Sequence, residues 1–287
     1  MVGPVHIMGI VNLTEDSFYA GSRTVAGDAL SRIRQMFSDG ACVVDLGACS
    51  TRPGASQPSQ EEEWARLEPV LREMNGCGLS GERQFPGREF PAISIDTYRA
   101  EIVRRAYGLI GPFLVNDISA GALDPQMLET VGRLGLPYVA MHMRGTPQTM
   151  QQHTAYQDIV SEVKDYFVDF GRRAADAGIR DWLLDPGFGF AKTLEQNYEL
   201  LRGMERLLEL GHPILVGVSR KSMIYKLLGI TPEESLAATQ VVQYAALEHG
   251  ATWLRVHDVR EAVQTARLFS AMGGNQVTEK IVLFDLL

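Results

Sequence analysis

Cysteine is scarce in this sequence, and its few cysteines do not form a metal-binding pattern. There are three, Cys42, Cys49 and Cys77, which make no close metal-type pair and leave one residue over from any disulfide. We therefore expect a reducing, cytoplasmic location. The six histidines show no pair at metal-ligand spacing, and neither a Gly-x-Ser-x-Gly elbow nor a Cys/His pair indicates covalent catalysis.

Long apolar runs and excess positive charge are also missing. No run approaches the ~20 apolar residues that a membrane-spanning helix needs. The apolar stretch Val5–Val11 has no basic residue before it, which argues against a signal peptide. The formal net charge of −8 argues against nucleic acid and membrane surfaces as partners. An anionic substrate would have to be bound by a local basic cluster.

Eight short apolar runs are present instead, and each is followed by a polar or charged residue. The residues that follow them are Asn12, Asp45, Asp96, Asn116, His142, Asp185, Ser219 and Arg255. Segments with helical periodicity lie between the runs. Eight buried strands that alternate with helices predict an α/β fold, a single (β/α)8 TIM barrel, as one domain over residues 1–287. The polar residues would then lie on the carboxyl rim, where such barrels hold their active sites.

Helix-start signals support this alternation of strands and helices. Capping pairs are predicted at Ser59 with Glu62, Thr193 with Gln196, Thr231 with Glu234 and Asp258 with Glu261. Asp124-Pro125 predicts another helix start. Two helices, Met223–Leu228 and Glu233–Leu247, fit between the last two strands, a region where many barrels bind phosphate. The Gly- and Pro-rich segment Asn75–Pro91 is predicted to be a surface insertion without a catalytic role.

Three of the strand-end residues suggest a heterocycle site. Asp96, Asn116 and Asp185 follow apolar strands and should converge in the barrel mouth, where a desolvated carboxylate needs donors. Their acceptors suit a planar, donor-rich ring such as the guanidine-like edge of a pterin or purine. The alternative is that each residue only caps the helix that follows it.

Two further segments suggest an anion site and a cover over the mouth. Ser219-Arg220-Lys221-Ser222 opens a helix and Arg255-Val256-His257 follows the last strand, so helix N–H groups and three cations predict anion binding. Solvated surface charge is the alternative. The loops Thr14–Ser22, with Phe18, and Thr51-Arg52-Pro53-Gly54 are interpreted as a mobile cover, although a lone loop arginine is usually just exposed.

The motifs taken together resemble the dihydropteroate synthase family, in family order and over nearly the whole chain. The matching segments are Met8-Gly9-Ile10-Val11-Asn12-Leu13-Thr14, Ser50-Thr51-Arg52-Pro53-Gly54, Ser94-Ile95-Asp96-Thr97, Asn116-Asp117-Ile118, Met141-His142-Met143-Arg144-Gly145, Asp185-Pro186-Gly187-Phe188-Gly189-Phe190, Ser219-Arg220-Lys221 and Arg255-Val256-His257-Asp258-Val259. The resemblance implies condensation of (7,8-dihydropterin-6-yl)methyl diphosphate with p-aminobenzoate, with Mg²⁺ as cofactor, in a homodimer that is a sulfonamide target.

The resemblance also implies roles for individual residues. The pterin would be bound by Asp96, Asn116, Asp185, Lys221, Met141 and Phe190. The diphosphate would be bound by Asn12, Arg52, Arg255 and His257, with the metal at Asn12. The aminobenzoate would be bound by Thr51, Arg52, Pro53, Phe18 and Ser222. Lys221, Arg255 and His257 would be the catalytic residues.

The sequence departs from the family pattern at three positions. Glu15 replaces a proline, Ala20 replaces an aspartate, and Cys49 replaces the glutamate before Ser50-Thr51-Arg52-Pro53. Two other functions stay open at this point. A folate-dependent methyltransferase barrel shares a pterin pocket but does not need the anion cluster, and a non-catalytic pterin-binding homologue would not need a leaving-group site.

Overall fold

The computed structural model describes residues 4–13, 25–49, 57–79 and 92–273, in which eight strands alternate with nine helices. The strands are β1 (His6–Asn12), β2 (Val43–Gly47), β3 (Ile93–Asp96), β4 (Leu114–Asp117), β5 (Tyr138–Met141), β6 (Trp182–Asp185), β7 (Leu215–Val216) and β8 (Trp253–Val256). The helices are α1 (Val25–Asp39), α2 (Gln60–Gly76), α3 (Ala100–Ile110), α4 (Met127–Leu134), α5 (Ile159–Ala177), α6 (Leu194–Gly203), α7 (Ser222–Leu228), α8 (Leu236–Glu248) and α9 (Val259–Ala271).

All eight strands are parallel and belong to one sheet. Their order is β6-β5-β4-β3-β2-β1-β8-β7, and a parallel bridge between Leu184 and Ile214 joins the two ends of the sheet. Helices α1 to α8 lie between successive strands, with α7 and α8 both placed between β7 and β8, and α9 follows β8. The predicted (β/α)8 TIM barrel, including its additional helix in the last crossover, is therefore confirmed.

The barrel interior is arranged in layers that follow from the period of two along a strand. An apolar layer packs at the amino-terminal side and consists of Met8, Val43, Leu114, Val139, Leu183, Leu215 and Trp253. Two residues further along four of these strands, the same inward face carries a polar layer, which consists of Asp45, Asn116, Asp185 and Arg255. The apolar layer thus forms the floor beneath the polar side chains.

Most of the predicted helix starts are confirmed. Complete capping boxes form between Ser59 and Glu62 before α2 and between Thr193 and Gln196 before α6. Thr231 and Glu234 also bond reciprocally, since each backbone N–H donates to the other side chain. These bonds satisfy N–H groups that have no partner inside the helix.

Two predicted helix starts differ in detail. The helix expected at Asp124 begins only at Met127. Asp124 Oδ1 accepts a bond of 2.9 Å from the backbone N–H of Gln126, while its Oδ2 accepts a bond of 2.7 Å from the backbone N–H of Ala100, at the start of α3. Asp258 does precede α9, but its predicted cap was wrong, because Arg220 binds its carboxylate and the side chain makes no cap. A tertiary partner thus replaces the local N–H groups at Asp258 and is added to them at Asp124.

The predicted insertion over 75–91 falls partly outside the described residues. Helix α2 continues through its first part to Gly76, and residues 80–91 are not described. In the portions of the chain that the structure describes, no helix combines the length and apolar character needed to cross a membrane.

Candidate active site

Asp45 lies at the centre of the polar layer. It is fully buried, and its Oδ2 accepts hydrogen bonds from Arg255 Nε at 2.7 Å and from Asn116 Nδ2 at 2.9 Å. The apolar run 42–44 predicts a strand that ends at Asp45, and no role is predicted for that residue. That boundary was wrong, because β2 continues to Gly47. Its spacing of two from the floor residue Val43, the spacing that relates Asn116 to Leu114, is the signal that could have revealed it.

Arg255 joins two carboxylates across the barrel mouth. Besides its bond to Asp45, its Nη2 donates to Asp96 Oδ2 at 2.8 Å. Among the described residues, no acceptor is bonded to its Nη1. The guanidinium is therefore held in a fixed plane by charge-assisted bonds, while one of its N–H₂ groups stays available for a ligand.

The bond to Asp45 also determines what Asn116 offers to a ligand. Because the amide nitrogen of Asn116 donates to Asp45, its Oδ1 is left as an acceptor. Asp96 pairs with Asn116 in register on the neighbouring strand. Asn116 and Asp96 together present oxygen acceptors along one side of the mouth.

The opposite side of the mouth is formed by the loops after β6 and β7. Asp185 is buried at the end of β6, and its Oδ1 accepts a bond of 2.8 Å from the backbone N–H of Gly187. Lys221 Nζ donates to the carbonyl of Phe188 and lies 4.7 Å from the ring centroid of Phe190. Met141 and Phe190 belong to one buried apolar cluster. This side therefore combines a carboxylate, a cation and an apolar wall.

Burial shifts the pKa values of these groups. It raises the pKa of Asp96 and of Asp185, although Arg255 opposes the effect at Asp96, and Lys221 and Arg255 oppose it at Asp185. Burial lowers the pKa of Lys221 to about 8, with Asp185 acting in the other direction. The acidic and basic side chains are therefore buried and lie close enough for each charge to affect the pKa of the others.

The predicted cluster of three cations was wrong in one member. Arg220 donates to both carboxylate oxygens of Asp258 at 2.8 and 2.9 Å and also to the carbonyls of Pro232 and Glu233. Its backbone has a φ of +53°, which is uncommon for a residue other than glycine. Arg220 thus fixes the loop after β7, and Lys221 and Arg255 are the members of the predicted cluster that lie beside Asp185 and Asp96.

His257 is a neutral group beside these cations. Burial, followed by the charge of Arg255, lowers its pKa to about 4. Its Nδ1 lies 3.1 Å from Ser219 Oγ, which also accepts a bond from the backbone N–H of His257. Lys221, at the N-cap of α7, is followed by Ser222 as the first residue of that helix. The loops after β7 and β8 therefore place their predicted ligand-binding residues side by side.

Asn12 and Asp96 border a common space above Gly47. A Cβ added at Gly47 would lie 3.6 Å from Asn12 Oδ1 and 3.7 Å from Asp96 Oδ2. Because glycine has no side chain, it leaves a space that these two oxygen atoms border, and Asp96 Oδ2 also accepts a bond from Arg255. Oxygen donors are the ligands that Mg²⁺ prefers, so these residues fit the predicted metal.

Several of the predicted site residues lie outside the described residues. These are Phe18, Thr51, Arg52 and Pro53, together with the departures Glu15 and Ala20. The third departure, Cys49, is described: its Sγ lies 3.8 Å from Arg99 Nη1, and burial raises the pKa of its thiol. Arg99 in turn pairs with the buried Glu63 of α2.

Comparison with known proteins agrees with this geometry. A family model described as pterin binding enzyme matches residues 8–257. The chain is 39% identical to the dihydropteroate synthase of Escherichia coli (strain K12), over 93% of this chain and 91% of that protein. It is 41% identical to that of Neisseria meningitidis serogroup C, over 94% and 93%. The chain belongs to the dihydropteroate synthase family.

Solved structures of dihydropteroate synthases share the fold. One from Xanthomonas albilineans with 4-aminobenzoic acid is similar with a TM-score of 0.83 and 36% identity, over 94% of this chain and 93% of that chain. One from Yersinia pestis in a sulfonamide drug complex has a TM-score of 0.83 and 35% identity, over 94% of both chains. The chain is thus a transferase that forms dihydropteroate with release of pyrophosphate.

Proposed function

We propose that this synthase joins p-aminobenzoate to (7,8-dihydropterin-6-yl)methyl diphosphate in the barrel mouth, and that the polar layer binds the pterin ring. The observation that carries the proposal is the orientation of Asn116, whose Oδ1 is made an acceptor by Asp45. The carboxylates of Asp96 and Asp185 add acceptors that match the N–H groups of the guanidine-like pterin edge. Lys221 supplies a donor, and Met141 and Phe190 pack against the ring.

The diphosphate would lie on the side of the mouth that carries positive charge. Arg255 offers its Nη1, Lys221 its ammonium and His257 a neutral N–H, because the low pKa of His257 leaves it uncharged. Arg52 and Asn12 complete the proposed site. Donors arranged before the reaction stabilise the charge that develops on departing pyrophosphate.

The chemistry needs no strong general base, because an arylamine is already a nucleophile. The amine nitrogen forms a bond to the methylene carbon of the pterin substrate and loses a proton, while the C–O bond breaks and its electron pair leaves with pyrophosphate. In a dissociative route the C–O bond breaks first, and the carboxylates of Asp96 and Asp185 stabilise the pterin-centred cation. Secondary isotope effects at the methylene close to unity would contradict that order of steps.

Mg²⁺ is the proposed cofactor, with Asn12 as its ligand from this chain. The support is the space above Gly47 that Asn12 Oδ1 and Asp96 Oδ2 border. Mg²⁺ commonly takes few ligands from the protein and the rest from substrate phosphates and water. When bound, it supplies positive charge that stabilises the pyrophosphate leaving group.

The aminobenzoate would be bound by Thr51, Arg52, Pro53, Phe18 and Ser222. Relatives crystallised with 4-aminobenzoic acid and with a sulfonamide drug support the proposal that both kinds of molecule bind to this chain. Ser222 follows Lys221 at the start of α7, which would place the second substrate next to the diphosphate.

A homodimer is proposed because α8 and α9 expose large apolar side chains. Val241 is 69% exposed, Leu268 63% and Met272 73%, and the hydroxyl of Tyr244 on α8 lies 3.5 Å from Met272 Sδ beyond the end of α9. A second copy of the chain would bury this surface. The small number of cysteines in the sequence supports the proposed cytoplasmic location.

Pyrophosphate release tests the proposed activity. Purified protein is supplied with Mg²⁺ and the dihydropterin diphosphate, with and without p-aminobenzoate, and pyrophosphate and dihydropteroate are quantified. We expect release that depends on p-aminobenzoate. Tight pterin binding without turnover would instead indicate a non-catalytic pterin-binding homologue.

A further inference from the structure

Lys192 is a buried lysine that no part of the proposed mechanism uses. It lies in the loop after β6 and is only 4% exposed. Its Nζ donates to the carbonyls of Gly187 at 2.8 Å and Phe190 at 3.0 Å, and it lies 3.0 Å from His142 Nδ1. An ammonium has three N–H donors, so each donor has one acceptor.

Burying the ammonium of Lys192 costs free energy, and packing alone does not require a charged side chain at this position. Burial lowers the pKa of Lys192 well below its usual value, and the charge of Asp185 opposes this effect. In the described part of the chain, Lys192 Nζ bonds to two carbonyls and to His142, and no carboxylate is among these partners. A buried cation without an anion in direct contact is unfavourable. Stability alone therefore does not account for a lysine at this position.

The three acceptors lie next to residues that face the proposed pterin site. Gly187 accepts from Lys192 through its carbonyl, while its N–H donates to Asp185 Oδ1. Phe190 accepts through its carbonyl, and its ring lies beneath Lys221. His142 directly follows Met141 at the end of β5. Lys192 thus contacts the backbone or neighbour of each of three pterin-facing residues.

The two loops that Lys192 joins approach each other closely. A Cβ at Gly187 would lie only 2.0 Å from the carbonyl oxygen of His142, and Gly187 has a φ of +70°. Only glycine permits both the approach and the conformation. Small displacements of either loop would therefore move Asp185 and Phe190 together.

Lys192 needs a neutral His142 that accepts a hydrogen bond at Nδ1. It is 1% exposed and packs edge-on against Tyr166 with ring centroids 4.8 Å apart. Burial, followed by the charge of Lys192, lowers the pKa of His142 well below its usual value. A neutral imidazole with its proton on Nε2 accepts at Nδ1, which matches the observed contact.

We propose that Lys192 is a positioning residue for pterin binding: its ammonium joins the loops after β5 and β6 through His142, Gly187 and Phe190, and thereby fixes Asp185 and Phe190 in the geometry that binds the ring. The inference rests on the proposed binding of the pterin by these two residues. It assigns Lys192 no contact with substrate.

The test compares variants of Lys192 and His142 in the full-length enzyme. Lys192→Met removes the three donors and keeps much of the volume. His142→Leu removes the acceptor at Nδ1, whereas His142→Asn retains an oxygen acceptor near that position. Lys164→Met, which removes a surface lysine paired with Glu209, is the matched control. For each, KM for both substrates, kcat and Tm are measured, together with calorimetric binding of the dihydropterin diphosphate without p-aminobenzoate.

We expect Lys192→Met and His142→Leu to raise KM and Kd for the pterin diphosphate tenfold or more, with KM for p-aminobenzoate within twofold. His142→Asn should recover pterin affinity to within about threefold of the wild type, and Lys164→Met should change neither KM. A purely structural role would raise both KM values together or impair both His142 variants equally, and either result would overturn the inference.

Unchanged pterin affinity in Lys192→Met and His142→Leu would overturn it as well. If Lys192→Met does not fold, the two His142 variants still decide the question. A wild-type protein that binds the pterin but does not release pyrophosphate would contradict the proposed function instead. The binding measurement would then still test the role of Lys192.

Discussion

Arg255 Nε lies 2.7 Å from Asp45 Oδ2, although 210 residues separate the two in the chain. The bond crosses from β8 to β2 and shares its acceptor oxygen with Asn116. One buried carboxylate therefore fixes both a cation proposed for the diphosphate and an amide proposed for the pterin.

Asp45→Asn should impair binding of the pterin diphosphate although Asp45 has no proposed contact with it. The neutral amide no longer balances the charge of Arg255 and competes with Asn116 for orientation. We expect KM for the pterin diphosphate to rise at least tenfold and the free energy of unfolding to fall by about 3 kcal/mol, the order of magnitude for breaking a buried ion pair. Steady-state kinetics and urea denaturation measure these effects.

Asp169→Asn is the control for this substitution. Asp169 pairs with Arg173 on the surface of α5 and its side chain is 64% exposed, so its loss should change stability by less than about 1 kcal/mol. Equal behaviour of the two variants would contradict the central role of Asp45.

The affinity for the pterin diphosphate should decline above pH 8. Burial lowers the pKa of Lys221 to about 8, so the free enzyme loses the Lys221 charge as the pH rises through that value. KM for the pterin diphosphate, measured from pH 6.5 to 9.5, should rise on the alkaline side. The arginine of Lys221→Arg keeps its charge throughout this range, so KM of that variant should not rise on the alkaline side. An unchanged rise in KM of that variant would assign the titration to another group.

His257 should make the fold less stable in acid. Its pKa is about 4 in the folded protein, below its value of 6.5 when exposed, so the unfolded state binds more protons between these values. Stability from this group is present above pH 6.5 and is lost as the pH falls toward 4. In His257→Gln, Tm should therefore decline less between pH 7 and pH 5. His249→Gln, at a surface contact with Glu205, should follow the wild-type profile; if the two variants behave alike, His257 is not responsible.

Gly47→Ala should weaken the response to Mg²⁺ while the protein stays folded. The added Cβ would make ordinary van der Waals contacts of 3.6 and 3.7 Å with Asn12 Oδ1 and Asp96 Oδ2, so it fills the proposed metal space with little strain. The Mg²⁺ concentration for half-maximal activity should rise at least fivefold, with Tm nearly unchanged. Gly108→Ala, where a Cβ meets nothing within 4 Å in α3, should raise stability by up to about 1 kcal/mol and leave the Mg²⁺ response unaltered. Identical Mg²⁺ dependence in Gly47→Ala would remove the support for this site.

The sequence predicted the barrel because periodicity is local. Apolar runs with polar ends mark strands, and capping pairs such as Ser59 with Glu62 mark helix starts within four residues of chain. The side-chain partners in the site could not be predicted in this way, because they come from strands that are distant in the sequence. Asp124 accepts a bond from the start of α3 as well as from Gln126 before α4, and Arg220 binds the carboxylate of Asp258, which therefore does not cap α9. Neither tertiary partner is encoded in neighbouring residues.

The same reason explains which site residues were missed. Asp45 lies inside β2, whereas the three-residue apolar run predicted a strand that ends before it. Its role depends on the hydrogen bonds that it accepts from Arg255 and Asn116 across the barrel. Lys192 is an ordinary loop lysine in the sequence. Two of its acceptors, the carbonyls of Gly187 and Phe190, belong to its own loop, and the approach of the loop carrying His142 adds the third.

The apolar floor beneath the polar layer closes the proposed site on its amino-terminal side. Its seven packed side chains fill the amino-terminal side of the barrel interior in the residues that the structure describes, so we expect both substrates and both products to pass through the carboxyl-terminal mouth. A ring bound against the deepest side chains must arrive before the molecule that lies above it. That ring can dissociate only after the molecule above it has left the mouth of the barrel. We therefore expect ligands to bind and leave in a fixed order, which follows from the closed amino-terminal side of the barrel and not from the chemistry of the reaction.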